Sequence, residues 1–197
     1  MIETALAGRH SMNSQEWFTP EPIVEMAREL MKSIDLDPAS SHESNRIVQA
    51  GEYYTKTDNG LALGWYGRVF VNAPGGLVKP FWQALVYAFE AGNVTEAVWV
   101  GYSLEQLQTL QGLLCQSPLA FPMCVPSKRI AFIESAEAKA ARKERWAAKN
   151  IQLGLLQGKP LKPWNDKGSP SHGNYLTYLG PQVERFREIF GRIGVVR

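Results

Sequence analysis

The run Val69-Phe70-Val71-Asn72-Ala73-Pro74-Gly75-Gly76 constrains this chain more than any other segment. Three apolar β-formers stop at an asparagine, and a proline and two glycines follow close behind. Such a run reads as a buried strand that ends in a polar loop. In an open α/β sheet the ends of strands are where ligands bind. The loop is therefore the first place to look for chemistry.

The rest of the chain supplies parts for such a sheet. Thr19-Pro20 reads as a helix start, with Thr19 able to cap and Pro20 suited to the first helical position. Ile23, Met26, Ala27, Leu30 and Met31 follow at helical spacing. Residues 34–38 read as a short strand running into a turn. Residues 39–66 are polar, hold little regular signal, and read as a long functional loop. Pro80 opens a helix carrying Phe81, Leu85 and Ala88 or Phe89 on one face. Residues 97–100 form a further buried strand. Ser103-Leu104-Glu105-Gln106 has capping-box spacing, and Leu104, Leu107, Leu110 and Leu114 supply a helical stripe. Residues 130–133 read as a strand and 135–152 as a helix, followed by loop over 154–172. A strand over 175–179, a helix from Pro181 to Gly191 and a terminal strand over 193–196 complete the chain.

Strands separated by helices imply an α/β fold with a mostly parallel sheet, the last strands forming an antiparallel edge. At 197 residues the chain is expected to be one domain over 15–197. A loose tail covers 1–14, and a basic helix and loop at about 135–168 form an excursion. Apolar content of 45% is enough for a core. The net charge of +2 permits a nucleic-acid partner without requiring one. Cys115 and Cys124 have no zinc or redox spacing and read as reduced core thiols of a cytosolic protein. The three histidines share no metal-ligand spacing, so no metal site is expected. No signal peptide or membrane span is legible, so a soluble, intracellular protein is expected.

Three segments fall in a meaningful order: Trp17-Phe18-Thr19-Pro20, Asp35-Leu36-Asp37-Pro38-Ala39-Ser40, and Asn72-Ala73-Pro74-Gly75. Together they resemble the phage and prophage DNA adenine methyltransferase family. Its members share an acidic-Trp-aromatic-Thr-Pro segment, a Leu-Asp-Pro-Ala segment and a Val-Asn-Pro-Pro segment. Tyr53-Tyr54-Thr55, Asp58-Asn59-Gly60-Leu61, Trp65-Tyr66-Gly67-Arg68, Arg129-Ile130-Ala131-Phe132 and Ser169-Pro170-Ser171-His172 extend the similarity. It covers roughly residues 15–133 and 168–197.

The resemblance implies a reduced Rossmann-like methyltransferase fold, since only about 35 residues separate Asp37 from Asn72. It implies S-adenosylmethionine as cofactor, DNA as partner, and the cytoplasm of a bacterial host as location. Trp17, Thr19, Pro20, Asp37, Pro38 and Asp58 then stand as cofactor-binding residues. Thr19 and the helix start would meet the methionine carboxylate, because helix N-termini attract anions. Asp37 would accept from the methionine ammonium, and Asp58 from the ribose hydroxyls or the adenine amino group of the cofactor. Read alone, Thr19 is equally an ordinary cap, Asp37 an Asp-Pro turn and Asp58 a plain turn residue.

Asn72, Ala73, Pro74 and Gly75 stand as the catalytic loop. The Asn72 amide oxygen and a following backbone carbonyl would accept the two hydrogens of an exocyclic amino group on a base flipped from its stack. Catalysis would come from positioning and fixed dipoles rather than from a strong base.

The loop departs from the Asn-Pro-Pro-aromatic pattern of amino methyltransferases at two places. Ala73 replaces the first proline, at an entropic cost of order 0.4–1 kcal/mol. Gly75 replaces the aromatic that stacks on the base, a contact typically worth about 1–3 kcal/mol. Tyr66, Trp82 and Tyr102 are the candidate replacements from adjacent loops. Lys79, Lys128, Arg129, Lys167 and His172 are candidate DNA contacts. Two other readings stay open. One is a degenerate relative that binds DNA or cofactor without turnover, as an accessory or anti-restriction protein. The other is an amino methyltransferase acting on another base or on RNA.

Overall fold

In the computed structural model the described residues are 17–157, 163–165 and 172–197. The tail over 1–14 and the candidate Lys167 lie outside them. Apolar runs become strands and amphipathic runs become helices, in alternation. The first half holds β1 (Trp17–Phe18), α1 (Glu21–Met31), β2 (Leu36–Asp37), α2 (His42–Val48), β3 (Glu52–Tyr53), β4 (Gly67–Val71) and α3 (Val78–Glu90). The second holds β5 (Val94–Gly101), α4 (Glu105–Leu110), β6 (Met123–Pro126), β7 (Ile133–Glu134), α5 (Ala136–Gln157), β8 (Tyr175–Leu179), α6 (Val183–Phe190) and β9 (Gly194–Val196).

The chain divides into two compact units. The larger contains residues 19–131 and the described residues from 172 to 197. It is built on a seven-stranded sheet in the order β3-β2-β4-β5-β8-β6-β9. β3, β2, β4 and β5 pair in parallel. β8 runs against both β5 and β6, and β9 runs against β6. Five strands therefore point one way and two the other. This is an α/β unit with a mostly parallel sheet.

β9 forms the expected antiparallel edge, but β8 does not: it lies inside the sheet, between β5 and β6. Its residues are buried at all five positions, which suits an interior strand covered on both faces. α3 covers one face, setting Phe81, Trp82 and Leu85 among Leu36, Val69, Val71 and Trp99. α6 covers the other, where Phe186 stacks on Tyr178 with ring centroids 5.4 Å apart. α1 packs against α6.

The order of strands contains a reversal. From β2 the chain crosses through α2 to β3 on one side, then returns to β4 on the other side of β2. β5 continues in the new direction. Strands that flank such a switch leave a crevice at their carboxyl ends. Here the flanking strands are β2 and β4.

Several expectations need correction. Residues 39–66 are not a featureless loop, because they hold α2 and β3. Ser41 Oγ caps α2 by accepting from Ser44 N at 3.1 Å, and Asn45 Oδ1 accepts from Ala50 N at 2.9 Å where the helix ends. Only Val48 of α2 is buried, so no apolar stripe announces it. Thr19 is not the cap of α1; Pro20 takes that position with no side-chain bond, and Pro22 follows in the first turn. The strand expected over 130–133 does not form: only Ile133 is in a strand, β7, and the sheet strand in this part of the chain is β6, earlier in sequence and paired with β8. The expected leucine stripe fails as well. α4 ends at Leu110, the only buried leucine of the four, and Leu114 is 98% exposed.

In the smaller unit β1 pairs antiparallel with β7, Trp17 opposite Glu134 and Phe18 opposite Ile133. Ser135 Oγ accepts from Ala138 N at the start of α5. Arg142 donates twice to Glu134, at 2.8 Å from both Nε and Nη2, and its guanidinium lies 4.3 Å over the Trp164 ring.

Candidate functional site

The parallel direction of β3, β2, β4 and β5 brings their carboxyl ends to one edge of the sheet. β6 ends there too, and β8, running the other way, begins there. Tyr54, Asp37, Asn72, Tyr102, Lys128 and the segment 172–174 therefore share this edge.

Asp37 is the last residue of β2 and only 2% exposed. Its Oδ1 accepts from Ala39 N at 3.1 Å. Burial pushes its carboxyl up to about 6, against smaller opposing contributions from Ala39 N and the Ser40 side chain. The segment after β3 is tied over this strand end. Trp65 Nε1 donates to Gly60 O at 2.7 Å, and Tyr54 OH donates to Gly64 O at 2.9 Å. Gly60 sits so close to the Pro38 carbonyl that a Cβ there would collide with it. Glycine is needed at this crossing. Thr19, ahead of α1, is also 2% exposed, and its hydroxyl has no hydrogen-bond partner among the described residues.

Asn72 follows β4 directly. Asn72, Ala73 and Pro74 are half-buried, and Ala73 packs on the core under α3. The Pro74 carbonyl accepts from Leu77 N at 2.8 Å, which starts a 3-10 turn, Gly75–Leu77, leading into α3. Gly75 and Gly76 are exposed.

The three aromatic candidates fall in three different places. Tyr66 precedes β4, so it stands at the opposite end of the sheet from Asn72, where its hydroxyl donates to the Glu52 carboxylate. It is no stacking partner for a ligand at the carboxyl edge. Trp82 is fully buried, edge-on to Trp99 at 5.2 Å, with its indole N–H on Gln116 O at 2.7 Å. It is a core residue. Tyr102 follows β5 on the correct edge and is 40% exposed.

Asp58 Oδ2 accepts from Thr55 N at 2.8 Å and from Thr55 Oγ1 at 2.7 Å, and these bonds hold its carboxyl below the usual range. Its place is an exposed turn after β3. Trp17 belongs to the smaller unit, while Thr19 and Pro20 belong to the larger. Lys79 is exposed in the first turn of α3, and Lys128 and Arg129 are exposed beyond β6. His172 lies edge-on to Tyr102, ring centroids 5.5 Å apart, with its Nδ1 3.9 Å from Glu105 Oε2.

Sequence reasoning passed over Asn174. This residue is 5% exposed and ties three strand connections together. Its Nδ2 donates to Tyr102 O at 2.7 Å and its Oδ1 accepts from Ile130 N at 2.8 Å. A lone asparagine before a strand carries no local signal of such a role.

Comparison with protein-family models, curated proteins and solved structures finds no match. Among the described residues no group of three or more His, Cys, Asp or Glu side chains is arranged to hold a metal ion, and no helix is long and apolar enough to cross a membrane. Cys115 and Cys124 are free thiols.

Proposed function

We propose that this chain is a reduced Rossmann-like methyltransferase that acts on the exocyclic amino group of adenine in DNA. One observation carries the reading. Asp37 ends β2 and Asn72 directly follows β4, the two strands that flank the reversal in strand order, where open α/β sheets bind ligands. These are the two residues that the sequence resemblance assigns to cofactor and to target amine.

The chain's own groups fit S-adenosylmethionine. A buried carboxyl such as Asp37 gains its ionised form when an ammonium is brought against it. The unpartnered buried hydroxyl of Thr19 suits an oxygen of the methionine carboxylate. The cofactor, when bound, supplies the electrophilic methyl group. The Asn72 amide oxygen and the Ala73 carbonyl would accept the amino hydrogens of the base and orient its nitrogen; as the N–C bond forms the S–C bond breaks, the thioether leaves, and one amino proton is released to solvent. The neighbouring Pro74 carbonyl is already engaged by Leu77 N. Rate enhancement then rests on orientation and fixed dipoles.

The test is transfer from labelled S-adenosylmethionine to unmethylated DNA, followed by digestion to nucleosides and mass spectrometry. Label on the adenine amino group supports the reading. Label on another nucleoside would move the substrate, and cofactor binding without any transfer would assign the chain to the non-catalytic relatives.

A further inference from the structure

We infer that Tyr102 forms the wall on which an extruded base stacks, replacing from the neighbouring strand the aromatic that the Asn72 loop lacks. The inference rests on the methyltransferase reading and deepens it.

The argument starts at Gly75. Its φ is not in the left-handed region, so the backbone does not demand glycine there. A Cβ added at Gly75 would meet one neighbour only, Cε1 of Tyr102, at an ordinary contact distance of 3.8 Å. One edge of the Tyr102 ring therefore lies within van der Waals contact of the point where a side chain at position 75 would begin. An aromatic at 75 and the tyrosine at 102 would border the same space. Gly76 opens onto free space, since a Cβ added there would meet nothing within 4 Å.

Tyr102 is also held as a stacking surface must be. β4 and β5 are hydrogen-bonded neighbours, Val71 opposite Trp99, so the residue after β5 lies beside the loop after β4. Asn174 fixes the Tyr102 carbonyl, and the buried side chain of Asn174 is itself held by Ile130 N. His172 meets Tyr102 edge to face, at an interplanar angle of 88°. Such a contact occupies at most one face of the tyrosine ring. Tyr102 is 40% exposed, and an exposed aromatic fixed through its backbone is suited to a planar ligand, because every base offers a π-face. Of the three aromatics legible as candidates, Tyr66 lies at the wrong end of the sheet and Trp82 is in the core.

The experiment compares wild type with Tyr102→Ala, Tyr102→Leu, Tyr102→Phe and the double variant Tyr102→Ala/Gly75→Phe. It reads kcat/KM for DNA, cofactor Kd, and the fluorescence of 2-aminopurine placed at the target base. Tyr102→Ala and Tyr102→Leu are expected to lower kcat/KM by about ten- to 100-fold and to change the 2-aminopurine signal. Cofactor Kd should stay within about twofold, because the loss falls on the base alone. Tyr102→Phe keeps the ring and should keep the rate. The double variant should regain about tenfold over Tyr102→Ala, a rescue that a merely structural role for Tyr102 does not predict. Full kcat/KM in Tyr102→Ala or Tyr102→Leu overturns the inference and leaves the methyltransferase reading standing. Absence of both transfer and cofactor binding in wild type overturns that reading, and the inference with it.

Discussion

Leu36 is in register with Val69, so Asp37 stands opposite Phe70 and Asn72 comes two residues further along the neighbouring strand. The carboxyl and the amide thus leave adjacent strands about 7 Å apart along the strand direction. β2 ends early and β4 runs past it. Asp37 is buried at this step, 2% exposed, under the segment that follows β3, whereas Asn72 beyond it is half-buried.

Asn72→Ala removes one of the two acceptors assigned to the target amine. Transfer is expected to fall by about 100-fold or more, the scale seen when one preorganised hydrogen-bonding group is lost from a reacting centre. Cofactor affinity should hold, since the role proposed for the amide is toward the base. Measured kcat with saturating DNA and cofactor decides it; an unchanged kcat removes Asn72 from the chemistry.

Burial of the Asp37 carboxyl carries a stability cost above its ordinary titration range. Its ordinary value of 3.8 is raised to about 6 in the folded protein. The folded state therefore binds the proton more tightly than the unfolded state. This contribution to stability is fully present below 3.8 and is lost as pH rises through 6. Asp37→Asn, which keeps the oxygen that accepts from Ala39 N, should raise the Tm of the unliganded protein, and the gain should grow between pH 4 and pH 7. Cofactor affinity moves the other way. In wild type it should strengthen as pH rises through 6, and in Asp37→Asn it should be weak and flat. A Tm difference independent of pH would show that the carboxyl is not held neutral by burial.

Much of the scaffold was legible because its elements are apolar runs. β4, β5, α3, β8 and α6 each bury several large side chains, and their periods survive in the sequence. α2 and β3 were not legible, since what holds them is remote. Arg28 Nη1 donates to Val48 O at 3.1 Å, and Glu52-Tyr53 owes its strand form to pairing with Leu36-Asp37. The candidate site divides in the same way. Asp37 and Asn72 could be picked from their motifs. That they stand at the carboxyl ends of two neighbouring strands beside the reversal depends on strand order, which no local pattern encodes. Tyr66 and Tyr102 look alike in sequence as tyrosines beside strands. One precedes its strand and the other follows it, and the direction of the strands separates them by the length of the sheet.

Ala73 sits where proline would fix φ and narrow the loop's unfolded and unbound conformations. The following Pro74 already holds extended backbone, with φ −56° and ψ 136°. Ala73→Pro should therefore raise kcat by about two- to fivefold, the equivalent of the 0.4–1 kcal/mol typical of such replacements. Cofactor Kd serves as the control. No gain in kcat refutes the argument from loop stiffness.

Gly67 and Gly75 predict opposite tolerance at the two ends of the same strand and loop. Gly67 has φ +68°, and a Cβ there would lie 2.6 Å from Asp35 Oδ2. That carboxylate receives Arg68 through Nε at 2.8 Å and Nη2 at 2.7 Å, the clasp that starts β4. Gly67→Ala is expected to cost about 1–2 kcal/mol from the left-handed backbone alone, with a further loss from the displaced clasp. Gly75→Ala should be close to neutral, its Cβ meeting only Tyr102. Urea unfolding of both variants gives the comparison, and equal midpoints would contradict it.

Lys79 and Lys128 are the exposed lysines assigned to the phosphate backbone at the carboxyl edge, one at the start of α3 and one beyond β6. A lysine that neutralises a phosphate releases a counterion when DNA binds. Each of Lys79→Ala and Lys128→Ala should weaken DNA binding uniformly across sequences and lower the slope of log Kd against log salt by about 1. Tyr102→Ala, which on the proposed role removes a base contact and no phosphate contact, should leave that slope alone. Titrations at three or more salt concentrations separate the two kinds of contact. A lysine whose removal leaves the slope unchanged does not face the phosphates, and the DNA path must then run along another part of the edge.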